Sequence, residues 1–108
     1  MSDYLFIQSQ DPYTETRTAL QYQLAIQLAQ AGNRVSVLLV QNGVSPARRN
    51  AVSPEFEELL NSPVSVLADE FALRQREIDV DQLQKKVQMC QLDTVIDALS
   101  SGHKVIWN

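Results

Sequence analysis

The sequence predicts an α/β protein: a three-layer α/β/α sandwich, flavodoxin-like in appearance, around a five-stranded and mainly parallel sheet. Three observations predict it. Short apolar runs rich in β-branched and aromatic residues alternate with helical patterns along the whole chain. One of these runs, RVSVLLV at 34–40, is apolar almost without a break, as a strand covered on both faces must be. The stretch 19–44, ALQYQLAIQLAQAGNRVSVLLVQNGV, sets an amphipathic helix, a Gly-Asn turn, that strand and a second turn in one αβ unit. The length of 108 residues fits one domain spanning 1–108.

Residues 4–8, YLFIQ, form the first predicted strand, followed by an Asp-Pro loop at 9–13 whose Asp11 and Pro12 suit a helix start. The long helix covers 14–31. Leu20, Leu24, Leu28 and Ala31 recur on one stripe, which Ile26, Ala19, Ala25 and Ala29 widen. Gly32-Asn33 ends the helix. After the 34–40 strand, Gln41-Asn42-Gly43 turns the chain, and 44–52 is a loop or short helical turn. Ser53 caps the next helix, with Pro54 in its first turn and three glutamates near its positive end. Pro63 stops it, and 63–67 is the third strand. A helix follows at 68–77. Asp79 and Gln82 fit a loose capping box over one more turn within 79–86. Residues 87–89 form a short fourth strand. The last helix, 92–100, carries Leu92, Val95, Ile96 and Leu99 on one face, and Lys104–Trp107 is the final strand.

The net charge of -4 argues against nucleic acid and anionic membrane surfaces as partners, because both need a basic face. The apolar run at 37–40 is far too short to span a bilayer. The start, MSDYLFIQSQ, has no basic segment or cleavage pattern of a secretory signal. A single cysteine permits no internal disulfide, and together these features point to a cytoplasmic protein.

Ligands of open α/β sheets sit beyond the carboxyl ends of the strands. That singles out the loops at 9–13, 41–50, 68–70 and 90–91. Cys90, the only thiol, falls just before the last helix, whose first N–H groups would favour its thiolate. It is the candidate catalytic residue, able to hold a persulfide or attack a disulfide; the plainer alternative is a small packing residue. His103, the only histidine, belongs to the opposite rim and reads as a surface turn residue. Arg48 and Arg49 suit an anion or simply a solvated loop. Together with the 68–70 loop they define a possible small-anion site. Asp69-Glu70 offer paired carboxylates, but Asp69 fits better as a helix N-cap. Arg74 and Arg76 suit pairing with Glu70 or Glu77, or contact with a partner subunit. Phosphate-binding glycine loops, Cys-x-x-Cys, histidine clusters and the Gly-x-Ser-x-Gly elbow are absent from the sequence, so no cofactor or metal is expected.

The segments YLFIQ, ALQYQLAIQLAQAGNRVSVLLVQNGV, VSVLADEFALRQREI and GHKVIW, in this order, resemble the DsrE/DsrF-like family of small sulfur-relay proteins. The ending also resembles the DsrH/TusB-like relatives. The resemblance implies a five-stranded parallel sheet and trimeric or hexameric assembly, as a homo-oligomer or with related subunits. It further implies a persulfide on one cysteine, passed between sulfur donor and acceptor proteins. In E-type members that cysteine follows the third strand, shortly before an Arg-Gly turn. Here the matching position is Ala68 or Asp69, and the turn is Arg76-Glu77. The family cysteine therefore does not carry over, and Cys90 stands in a different loop of the same rim. Two readings follow: a sulfur carrier using Cys90, or a non-catalytic scaffold that binds a partner. A carrier thiol is expected to have a pKa below about 7.5. Phe71, Leu73 and Trp107 are the expected apolar contact positions.

Overall fold

Period-2 alternation in the strands decides which side chains meet which helical layer. The structure, a computed structural model, describes residues 2–91 and 93–107. Its strands are β1 Asp3–Gln8, β2 Arg34–Leu39, β3 Ser65–Asp69, β4 Val87–Cys90 and β5 Lys104–Trp107. They form one sheet in the order β4-β3-β2-β1-β5, and every pairing is parallel. The helices are α1 Thr16–Gln30, α2 Pro54–Leu60, α3 Glu70–Gln75 and α4 Asp93–Ser100. Two 3-10 turns, Gln41–Ala47 and Val80–Gln82, complete the connections. The predicted Leu92 start of α4 lies outside the described residues.

From β1 to β4 the chain steps in one direction across the sheet, so three right-handed crossovers stack on one face. The step from β4 back to β5 runs the other way and puts α4 on the opposite face. The core divides accordingly. Phe6, Val35, Val37, Leu39, Val66, Ala68 and Val87 meet α1, α2 and α3. Leu5, Ile7 and Leu38, with Leu67 and Val105, meet only Val95 and Ala98 of α4. The three layers are present, but the second helical layer is α4 alone.

The α1 stripe differs from the one expected. Thr18, Tyr22, Ala25, Ile26 and Ala29 are the buried residues, whereas Leu20 is 68% exposed and Leu24 40%. The helix is turned so that its small residues lie on the strands and Tyr22 packs against Phe56, ring centroids 5.8 Å apart. Only Leu28, of the predicted leucines, packs against the core. Gly32 at φ 98 closes the helix, and Asn33 donates through both its backbone and side-chain nitrogens to the Leu28 carbonyl.

Capping follows the sequence elsewhere. The Ser53 hydroxyl accepts from the Phe56 N–H at 3.3 Å, and such a cap contributes about 1 kcal/mol. The Gln82 side chain accepts from the Asp79 N–H at 2.8 Å. β3 and β4 reach further than predicted, taking in Ala68, Asp69 and Cys90. The 68–77 helix accordingly shortens to α3.

The turn after β2 is tight because it must pass over the end of β1. A Cβ built on Gly43 would stand 2.1 Å from the Gln8 carbonyl oxygen, closer than any side chain tolerates. Gly43→Ala is expected to cost about 1–3 kcal/mol, the range for an overpacked core, measured as a lower urea midpoint. An unchanged midpoint would show that this turn can shift off β1.

Candidate functional site

Ligands of open α/β sheets gather at the carboxyl ends of the strands. The carboxyl ends of β3 and β4 lie side by side here. The chain leaves β3 into α3 on the crowded face and leaves β4 into α4 on the other. Asp69, the last residue of β3, stands in register with Cys90, the last of β4. Beside them a cavity of about 320 Å³ is lined by Asp69, Glu70, Phe71, Arg74 and Gln91.

The polar groups of this cavity hold one another. Asp69 is buried and its carboxylate accepts from the Ala72 N–H at 3.1 Å, the N-cap role its sequence position predicted. Glu70 pairs with Arg74 one helical turn on and accepts from Gln91 Nε2 at 3.1 Å. The Gln91 hydrogen bond, and then Arg74, hold the Glu70 carboxyl below its usual range. Ionised and doubly held, Glu70 is a poor proton acceptor. Phe71 is 62% exposed at the lip.

Cys90 lies at the carboxyl end of β4, as the sequence placed it, and is a half-buried free thiol packed against the Leu5, Ile7, Leu38 and Ala98 cluster. Its expected low pKa is not found. Burial pushes the thiol above its ordinary 9.0, and the Asp69 and Asp93 carboxylates push the same way; a hydrogen bond with Thr94 only partly offsets them. The N–H groups of α4 were expected to favour the thiolate, but the first turn of α4 carries Asp93, and β3 brings Asp69 alongside. Thr94 was the missed residue; one helical turn beyond Cys90, it is within reach once α4 follows β4 directly.

His103 precedes β5 at the amino ends of the strands, so it shares no site with Cys90 at the carboxyl ends. It is half-buried where a surface position was expected, and it lines a cavity of about 190 Å³ beneath α4. Arg48 and Arg49 do not join the 68–70 loop. They line a separate cavity with Arg76 and Glu77. Arg76 donates to Asn42 Oδ1 at 2.8 Å and to the Ala72 carbonyl at 3.2 Å instead of pairing with Glu77. Leu73, an expected contact residue, is core, with 1% exposure. Among the described residues no group of His, Cys, Asp and Glu is arranged to hold a metal ion, and no helix is long and apolar enough to cross a membrane.

The sequence profile of the DsrE/DsrF-like family matches residues 2–107. No curated protein matches the sequence. Among solved structures the chain is similar to MTH1491 from Methanobacterium thermoautotrophicum, a protein of unknown function, with a TM-score of 0.86, 22% identity and 100% of both chains covered. It is similar to the ychN protein from E. coli, with a TM-score of 0.86, 19% identity and 100% of both chains covered. BT1422 from Bacteroides thetaiotaomicron, also of unknown function, aligns with a TM-score of 0.76 and 16% identity over 98% of this chain and 95% of its own. At these identities the likeness is one of fold.

The thiol environment has a direct readout. Iodoacetamide labelling of native Cys90 is expected to rise only at alkaline pH, with a midpoint above 9.0. Asp69→Asn removes one of the charges that oppose the thiolate while keeping a good N-cap, and is expected to move the midpoint down. A wild-type midpoint below about 7.5 would contradict this electrostatic account.

Proposed function

Because the chain belongs to the DsrE/DsrF-like family, we propose that it serves intracellular sulfur metabolism as a non-catalytic, partner-binding subunit of an oligomeric assembly. The observation that carries this reading is the chemistry where β3 and β4 end. The position that the resemblance gives to a sulfur-carrying cysteine is held by Ala68 and the capping Asp69. The neighbouring thiol is kept protonated by burial and by two carboxylates. A sulfur carrier needs the thiolate, because the thiolate is the nucleophile.

The surface supports a binding role. Exposed apolar residues scattered singly need no partner. On α4, however, Ile96 and Leu99 stand three residues apart on the outward face, 63% and 60% exposed. The adjoining strand β5 is a sheet edge, and its Trp107 is 69% exposed. An apolar helix face next to a short strand edge suits a protein interface, with aromatic anchors enriched in such contacts. α1 adds Leu20 and Leu24 on the other side of the sheet.

A second reading rests on one observation: Cys90 is partly accessible at the carboxyl end of β4, and its bond with Thr94 favours the thiolate. In that reading the Cys90 thiolate attacks the outer sulfur of a partner's persulfide and the partner's thiolate leaves.

Light scattering at micromolar concentration is expected to give a mass above that of the monomer. The double substitution Ile96→Glu and Leu99→Glu is expected to lower that mass without unfolding the chain, since both side chains face solvent. A monomeric wild type would defeat the assembly reading. After incubation with a persulfide donor, intact mass spectrometry is expected to find Cys90 unmodified. A gain of one sulfur atom, absent from Cys90→Ser, would replace the first reading with the second.

A further inference from the structure

A cavity of about 510 Å³, apart from the one beside Asp69, is lined by Arg48, Arg49, Asn50, Arg76, Glu77, Asp81 and Gln82. It lies within the size range of small-molecule pockets. Residues 48–50 and the distant stretch 76–82 build it and are tied together. Arg48 forms an antiparallel bridge with Leu83, and the Arg49 N–H donates to the Gln82 carbonyl at 2.6 Å. Gln84 Nε2 donates to the Pro46 carbonyl at 2.8 Å. Arg48 Nη2 donates to the Arg76 carbonyl at 3.2 Å, and Arg76 is itself held by Asn42 and Ala72.

Two features set this cavity apart from a solvated loop. Its guanidiniums form no ion pair, although Glu77 and Asp81 line the same cavity. Among the described residues the salt bridges are Arg34–Asp3 and Arg74–Glu70, so Arg48, Arg49 and Arg76 have no ion-pair partner, and the Arg49 side chain has no hydrogen bond. Two are braced against the backbone with donors left over, in a chain whose net charge is -4. The second feature is Glu77, which sits at φ 54 just after α3. That left-handed position favours glycine, and a residue with a Cβ is strained there. The chain keeps a strained carboxylate in the cavity wall where a glycine would relax the backbone.

We propose that this cavity binds a small protonated oxyanion of the hydrogen phosphate class. Planar guanidiniums match two oxygens of such an ion at once. The carboxylates of Glu77 and Asp81 discriminate by proton content. A hydrogen phosphate keeps an O–H that a carboxylate accepts, whereas sulfate has no proton to give and meets only repulsion. The site does not depend on Cys90 or on the apolar α4 face.

Calorimetric titration of the full chain with inorganic phosphate, and separately with sulfate, tests the proposal. Phosphate is expected to bind one to one and more tightly than sulfate. Arg49→Ala, which removes a side chain with no internal bond, is expected to weaken phosphate about tenfold. Glu77→Gln is expected to reduce the preference over sulfate and Glu77→Gln with Asp81→Asn to erase it, while Glu77→Gly reduces it and raises the melting temperature. No phosphate binding, binding unaffected by Arg49→Ala, or equal binding of the two ions by the wild type would each overturn it.

Discussion

The handedness of β-strand crossovers governs this molecule. A parallel strand pair joined by a right-handed connection fixes the face on which that connection lies. Because β1 to β4 advance in one direction, three connections crowd one side of the sheet, and the reversal to β5 leaves the other side to α4. The large and small cores follow from that split. So does the parting of the connections after β3 and β4 to opposite faces. The same rule that covers the sheet also brings Asp69 beside Cys90.

That neighbourhood bears on the raised pKa of the thiol. A cysteine before a helix is a familiar route to an activated thiolate, and the sequence supports that expectation as far as β4 and α4 are concerned. Burial is the main cause of the rise, and a smaller push comes from a strand twenty-one positions earlier in the chain, where Asp69 caps α3. One carboxylate thus stabilises a helix and opposes a neighbouring anion. The Asp93 part is local, three residues beyond Cys90, whereas the Asp69 part needs the register of two strands, which no local pattern encodes.

β1, β2 and β3 were legible because buried parallel strands are nearly all apolar, while the short, partly exposed β4 and β5 were found within a residue of their bounds from β-branched and aromatic content. The caps at Ser53 and Asp69 were legible because capping is local chemistry. The phase of α1 was not. Its leucines and its alanines lie on different faces, and hydrophobicity alone favours the leucines. The sheet instead selects the small side chains with Tyr22, because close approach of a helix to strands rewards fit over bulk. The arginines divide similarly: Arg48-Arg49 stood out in sequence, but Arg76, a long way along the chain, completes their cavity. The left-handed Glu77 could have been suspected only from the Arg-Gly turn that it replaces.

The pairing of β5 with β1 has a further consequence for how the chain acquires its shape. Tyr4 finds its partner in Lys104, so the central-to-edge contact joins nearly the whole length of the polypeptide. Loop closure over such a span is slow, and pairings of this kind lower folding rates. During synthesis β1 can pair with β2 early, while its other edge waits for the final strand. Until then Leu5, Ile7 and Leu38 have no α4 above them. The same apolar surface that later forms the small core is therefore the exposed, association-prone surface of the nascent chain.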